Sequence, residues 1–324
     1  MNMNDVLRRY ESDLRQVEEH LGKYLHSEVP FIPQVINHLI TSGGKRFRPL
    51  MLLASADLCG YRGERRYPLS AVIEFIHTAT LLHDDVVDGA ETRRGRPSAN
   101  NVWGNAAVVL VGDFLYSRSF TLMTRDGDLA IIKLISETTN TMAEGEVFQL
   151  LKCGDVGITE ADYFTLIEKK TAVLIAAACA VGALMAGAAP ERVEALRGFG
   201  HAMGLAFQLT DDTLDYVAAE KEFGKAIGMD IKEGKITLPL IRTLARCTAG
   251  ERETIRGIVE RKQATEEDVK NVFDLIGRYD GIPYALDRAR GIIAEGKARL
   301  APFEDGEAKA SLMAMADFIA ERTL

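Results

Sequence analysis

The sequence predicts an all-α fold in one domain spanning residues 1–324. Three observations predict it. Apolar residues recur at the i, i+3, i+4 spacing of a helix almost throughout, as at Leu14, Val17, Leu21 and Leu25. Strand-like alternation bounded by turns is hard to find. The breaks are short, at residues 42–44, 60–67, 89–104, 153–159 and 223–234, and none is a Pro/Gly/Ser linker of the kind that separates domains. Length alone suggests two domains at about 100–200 residues each. The missing linker outweighs it.

Pro49 to Leu58 reads as a helix with proline in its first turn and Gly60 at its end. Leu69 to Asp88 is one long helical stretch, and Ala106–Met123, Ala130–Leu151, Glu160–Met185 and Glu191–Val217 are further candidates. The tail, from Glu251 to Arg322, is again helical and more charged. Ala172 to Ala189 carries no charge, and about 18 such residues is near the lower limit of a membrane span. It is mostly alanine with Gly182 and Gly187, so a tightly packed buried helix is the better reading, and no transmembrane segment is expected.

The formal net charge is −8, with 39 Lys+Arg against 47 Asp+Glu, which counts against a nucleic-acid binder. It leaves room for anionic substrates held by a metal or a local basic cluster. Cys59, Cys153, Cys179 and Cys247 share no metal-ligand spacing and form no disulfide framework. Met1 to Arg9 has no apolar run behind it and shows no signal peptide. A cytoplasmic protein is the expectation.

The chemistry concentrates in two acidic motifs. Asp84 and Asp88 are four apart and stack on one helix face, with Asp85 about one step round. Asp211, Asp212 and Asp215 repeat the D-D-x-x-D pattern behind a second apolar stretch. Three acids on one turn repel each other, and a cation removes that cost. Oxygen ligands completed by phosphates suit Mg²⁺. One such motif is as easily a solvated helix end; two copies point to a metal site.

The basic residues cluster as well. Lys45 and Arg48 sit at the start of a helix, where free N–H groups favour an anion. Arg93 and Arg94 follow Asp88, Lys170-Thr171 opens the alanine-rich helix, and Lys225 and Lys235 each follow a glycine after the second motif. Any one pair is commonly a solvated surface feature. Together with six aspartates they suit two diphosphates. His77 lies two turns before Asp84 on the same face. His83 beside Asp84 invites a His-Asp phosphohydrolase reading, which leaves the second acidic motif and the Gly-Lys pairs unexplained.

The pattern resembles the trans-isoprenyl diphosphate synthases, or polyprenyl synthetases, over essentially the whole chain. Asp84-Asp85-Val86-Val87-Asp88 with Arg93-Arg94-Gly95 matches the first aspartate-rich motif, and Gln208 with Asp211-Asp212-Thr213-Leu214-Asp215-Tyr216 matches the second. Gly44 to Pro49, Lys170-Thr171, Gly234 to Pro239 and Met315 to Arg322 keep the family's order. Residues 75–85 and 104–114 resemble the long-chain, octaprenyl members.

The resemblance implies a single large helical bundle of the isoprenoid synthase (class I terpenoid synthase) type, with a central active-site cleft, in a homodimer. It implies head-to-tail condensation of isopentenyl diphosphate onto an allylic diphosphate. Asp84, Asp88 and Asp211 would hold Mg²⁺, with Asp85, Asp212 and Asp215 supporting. Arg93, Lys170 and Lys225 would add charge at the allylic diphosphate, and Lys235 would close over it. Lys45, Arg48, His77 and Arg94 would hold isopentenyl diphosphate, while Thr171 and Gln208 would steady the allylic group. Released diphosphate is the family's usual proton acceptor. A growing tail would run back along the helix from Asp84 past the small Thr80 and Ala79 towards Ile76, which implies a long product. A terpene cyclase or head-to-head synthase also uses aspartate-rich helices, but the two basic sets argue for a second diphosphate. A non-catalytic subunit would be expected to lack one acidic motif, and this chain has both.

Overall fold

The computed structural model describes residues 1–40, 46–93, 95–221, 229–261 and 264–321. In chain order its helices are α1 (Met3–Arg9), α2 (Glu11–Tyr24), α3 (Phe31–Ile40), α4 (Phe47–Leu58), α5 (Arg66–Val87), α6 (Ala99–Trp103), α7 (Asn105–Asp126), α8 (Leu129–Lys152) and α9 (Glu160–Ile167). They continue as α10 (Val173–Met185), α11 (Pro190–Lys221), α12 (Met229–Lys232), α13 (Leu238–Leu244), α14 (Ala249–Glu260), α15 (Glu266–Arg278), α16 (Gly281–Ala298) and α17 (Glu307–Glu321). The only strands among the described residues are β1 (Thr92–Arg93) and β2 (Arg96–Pro97), an antiparallel pair turned at Gly95 with φ +74°. Local sequence sets many helix starts. Thr159, Thr248 and Thr265 each accept the N–H of an acid three residues on, and that acid reaches back to the threonine N–H.

The chain divides into two compact units. The first comprises residues 1–139, 174–197 and 302–314. Here α5 and α7 pack antiparallel along most of their length. Arg65 grips Asp126 through Nε and Nη2, each at 2.7 Å, at one end. His83 lies on α7 at the other. A Cβ on Gly112 would come within 2.2 Å of His83 Nε2, so only glycine admits the ring where it lies. α5 is buried on nearly every face, which places it inside the core. Midway along it the buried acid Glu74 receives Arg46 at 3.1 Å, and burial pushes the Glu74 carboxyl above its ordinary range against the pull of Arg46 and Arg48.

The helical part of the uncharged stretch, α10, is core, as its composition suggested, while Gly187 and Ala189 beyond it are exposed. Every residue of α10 from Leu174 to Ala183 is buried, and a Cβ on Gly182 would meet the Leu52 carbonyl of α4 at 2.6 Å. Among the described residues one helix, α7, is long and apolar enough to cross a membrane by length and composition.

The second unit comprises residues 140–173, 198–301 and 315–324. Its core gathers Tyr163, Ile167, Leu209, Tyr216, Leu238 and Ile255 with the apolar faces of α13 to α16. Glu160–Met185, which reads as one helical stretch, is interrupted by a π-helical turn at Glu168–Ala172. The wider turn fits because its neighbours present glycine. A Cβ on Gly145 of α8 would lie 2.8 Å from Lys169 Cβ, and one on Gly204 of α11 would lie 2.4 Å from Ala172 Cα. Periodicity cannot reveal a single inserted residue, and π turns recur at functional positions.

Candidate active site

The first acidic motif closes α5. Asp84 and Asp85 lie in its last turn and Asp88 caps it, donating its N–H to the Asp84 carbonyl at 2.8 Å. A helix C-terminus carries partial negative charge, so three acids here add to an existing negative field. The end is a place for a cation. The three differ in exposure: Asp88 is exposed, Asp84 half-buried and Asp85 fully buried. The β1–β2 hairpin folds back over the helix end and brings Arg93 Nε to 2.7 Å from Asp85 Oδ1. Burial raises the Asp85 carboxyl above its ordinary range, and Arg93 opposes that rise. The other Asp85 oxygen is buried without a hydrogen-bond partner.

His77 is half-buried, two turns back on α5, and Thr80 donates its hydroxyl to the His77 carbonyl at 2.8 Å. Ala79 and Ile76 are fully buried. Arg48 stands in the first turn of α4, as expected. His83 stacks on Tyr116 with its Nε2 3.2 Å from the Val109 carbonyl, so its ring is taken up in the α5–α7 packing. That leaves the phosphohydrolase alternative without its histidine. Lys45, Arg94 and Lys225 lie outside the described residues, as does Arg322.

In the second unit the acids lie within α11 rather than at its end. Asp212 is held from both sides: Tyr163 donates to Oδ2 at 2.6 Å and Gln208 Nε2 donates to Oδ1 at 2.7 Å. Thr171 in turn donates to Gln208 Oε1 at 2.8 Å. Burial pushes Asp212 up to about 6, although both hydrogen bonds pull it down. The Thr171 and Gln208 singled out by sequence are therefore joined in one chain with Asp212. Lys170 pairs with Glu146 at 2.9 Å.

Lys235 pairs with Glu233 at 2.8 Å, and its N–H bonds to the Asp230 carbonyl at 2.7 Å. The turn before it, at Gly234 with φ +75°, is pinned from the end of α8: Gly154 N–H donates to the Gly234 carbonyl at 2.9 Å and the Cys153 thiol to the Glu233 carbonyl at 3.3 Å.

Two contributors escape sequence reasoning. Tyr163 stands seven residues, or two turns, before Lys170, and only its buried hydroxyl reveals a role. Asp230 donates its N–H to Asp215 Oδ2 at 3.4 Å. Burial and the charges of Asp212 and Asp215 push its carboxyl well above the usual range. It lies five residues before Lys235 and carries no D-D-x-x-D signal.

The donor chemistry fits Mg²⁺. Among the described residues no three acidic, histidine or cysteine side chains form a metal cage by themselves. Mg²⁺ characteristically takes one or two carboxylates, substrate phosphates and water instead. The orphaned oxygen of Asp85 marks the first motif as a place where negative charge exceeds what the protein neutralises.

Gly204 tests the architecture of the second motif. Gly204→Ala sets a Cβ against the backbone of the π turn, and overpacking of this kind costs about 1–3 kcal/mol. Thermal unfolding should fall by several degrees, and turnover should fall with it, because Ala172 follows Thr171 directly. An unchanged melting temperature and rate would show that the close approach is not needed.

The polyprenyl synthetase family profile matches residues 29–276. The chain is 43% identical over 261 residues to the octaprenyl diphosphate synthase of Escherichia coli K12, covering 81% of each. It is 36% identical over 283 residues to the geranylgeranyl diphosphate synthase of Sulfolobus acidocaldarius, covering 85% of this chain and 86% of that one. Its structure matches the polyprenyl synthase of Caulobacter crescentus CB15, solved with calcium and isoprenyl diphosphate, at a TM-score of 0.94 and 41% identity, covering 100% and 98% of the two chains. With its helical fold, the chain belongs to the polyprenyl synthetase family and is a trans-prenyl diphosphate synthase, a prenyltransferase.

Proposed function

We propose that the protein is a cytoplasmic, homodimeric long-chain synthase that adds isopentenyl diphosphate head to tail onto farnesyl diphosphate, giving about an octaprenyl diphosphate for quinone side chains. The whole chain, 1–324, serves as one catalytic domain. The observation that carries the reading is the pair of acidic motifs, the first paired to Arg93 and the second within the field of Lys235, on a chain 43% identical to an octaprenyl synthase. Exposed apolar side chains at Leu110 and Leu129, and at Val147, Leu150 and Leu151 on one face of α8, support self-association.

In this reading Asp84, Asp88 and Asp211 hold Mg²⁺, and Asp85, Asp212 and Asp215 support them. Bound there, Mg²⁺ neutralises diphosphate and makes it a better leaving group. Arg93, Lys170, Lys225 and Lys235 add fixed positive charge where the departing group gains negative charge. Thr171 and Gln208, already oriented by Asp212, face the allylic end. Lys45, Arg48, His77 and Arg94 hold the second diphosphate. The apolar surroundings exclude water that would quench the allylic cation.

The test is direct. Purified protein with Mg²⁺, isopentenyl diphosphate and farnesyl diphosphate should yield chains of about eight isoprene units, resolved by chromatography. The 36% identity to a geranylgeranyl synthase favours a shorter product, and chains ending at geranylgeranyl length would establish that reading instead. No chain growth would refute both.

A further inference from the structure

We propose that Asp85 is a positioning residue: it aims the Arg93 guanidinium at the allylic diphosphate and contributes through Arg93, not through a bond to metal. This rests on the reading above and deepens it by separating Asp85 from its neighbours.

The three acids of the first motif are in different places. Asp88 is exposed and Asp84 half-buried, while Asp85 is 0% exposed and turned into the hairpin. Its Oδ1 is engaged by Arg93 at 2.7 Å. Arg93 makes that bond through Nε. A guanidinium has five N–H donors, and an Nε bond engages only one. With Nε engaged, the Nη1/Nη2 edge remains to grip two phosphate oxygens at once. An Nε anchor therefore fixes the plane of the group and presents the phosphate-gripping edge elsewhere.

Arg93, unlike Asp85, is partly exposed and so reachable. Asp85 and Arg93 line one surface pocket with His38, Arg96 and Ser98. His38 Nε2 lies 2.8 Å from the Pro97 carbonyl, tying β2 to α3, so the hairpin that carries Arg93 is held at both ends. A buried carboxylate with one ion-pair partner is costly to leave alone, so Asp85 and Arg93 depend on each other.

The experiment is a double-mutant cycle read by calorimetric binding of an unreactive farnesyl thiolodiphosphate in saturating Mg²⁺, with Mn²⁺ binding to the substrate-free protein followed by electron paramagnetic resonance. Asp85→Asn and Arg93→Ala should each weaken the analogue about tenfold, and the double variant little further, as coupled neighbours do. Mn²⁺ binding should be unchanged in Asp85→Asn and reduced in Asp84→Asn. Additive losses, or Mn²⁺ binding lost in Asp85→Asn as in Asp84→Asn, would overturn the proposal.

Should Asp85→Asn fail to fold, Arg93→Lys decides. Lysine keeps the charge but cannot hold Asp85 through one edge and phosphate through another, so it should bind as poorly as Arg93→Ala. Wild-type affinity in Arg93→Lys would overturn the proposal. A wild type that fails to bind the analogue would sink both this proposal and the synthase reading, whereas additive losses in a protein that binds it sink this one alone.

Discussion

Asp84→Ala and Asp211→Ala are each expected to lower turnover by about 10²–10³-fold or more, the scale of losing a preorganised charge contact to a developing anion. Helix content should survive. Asp84 is half-buried at the end of α5, where an acid opposes the helix dipole, so its removal relieves repulsion rather than opening a core. Asp211 is likewise half-buried, within α11. The loss should therefore appear in kcat with no matching fall in melting temperature. EDTA should abolish activity in the wild type and added Mg²⁺ restore it. Near-normal turnover of either variant in Mg²⁺ would refute a role for both motifs in one reaction.

Ala79→Tyr is expected to shorten the main product to about farnesyl or geranylgeranyl length while consumption of the allylic primer continues. The proposed diphosphate contacts lie beyond the site of change, so on that reading the first additions should proceed and later ones stop. Ala79 is fully buried on α5, one turn before His83, whose ring rests on α7. A tyrosine there occupies space along the α5–α7 packing, and overpacking costs about 1–3 kcal/mol. The melting temperature should fall modestly, and circular dichroism must show a folded variant before products are sized. A folded variant that still makes the wild-type length would show that Ala79 only packs.

The helices were legible because their cause is local. Pro49 in the first turn of α4, the Thr-x-x-acid boxes and the recurring apolar spacing each act within a turn or two of chain. The acidic motifs were legible for the same reason, since D-D-x-x-D declares itself on any helix. What the sequence hides is which partner each acid has. Asp84 and Asp85 are neighbours in sequence and differ in burial, one half-buried and one fully buried, because one step along a helix turns the side chain by about 100°. Tyr163 and Asp230 reach the second motif from other elements, and only folding brings them there. The π turn was invisible because its cause is Gly145 and Gly204, more than 20 residues away on either side.

On the proposed reading, that turn bears on how one site would serve a reaction whose substrate keeps changing. Lys170 and Thr171 ride on a backbone wedged against two glycines, so their height is set by main-chain contact and not by an adjustable rotamer. Such a seat tolerates little variation in what it grips. In successive additions the head group is identical each time, and only the hydrocarbon lengthens. Rigidity at the head and latitude along the tail is the division that repetition requires: if Lys170 and Thr171 serve the head group as proposed, the same grip recurs at every cycle, and the count of cycles is decided elsewhere.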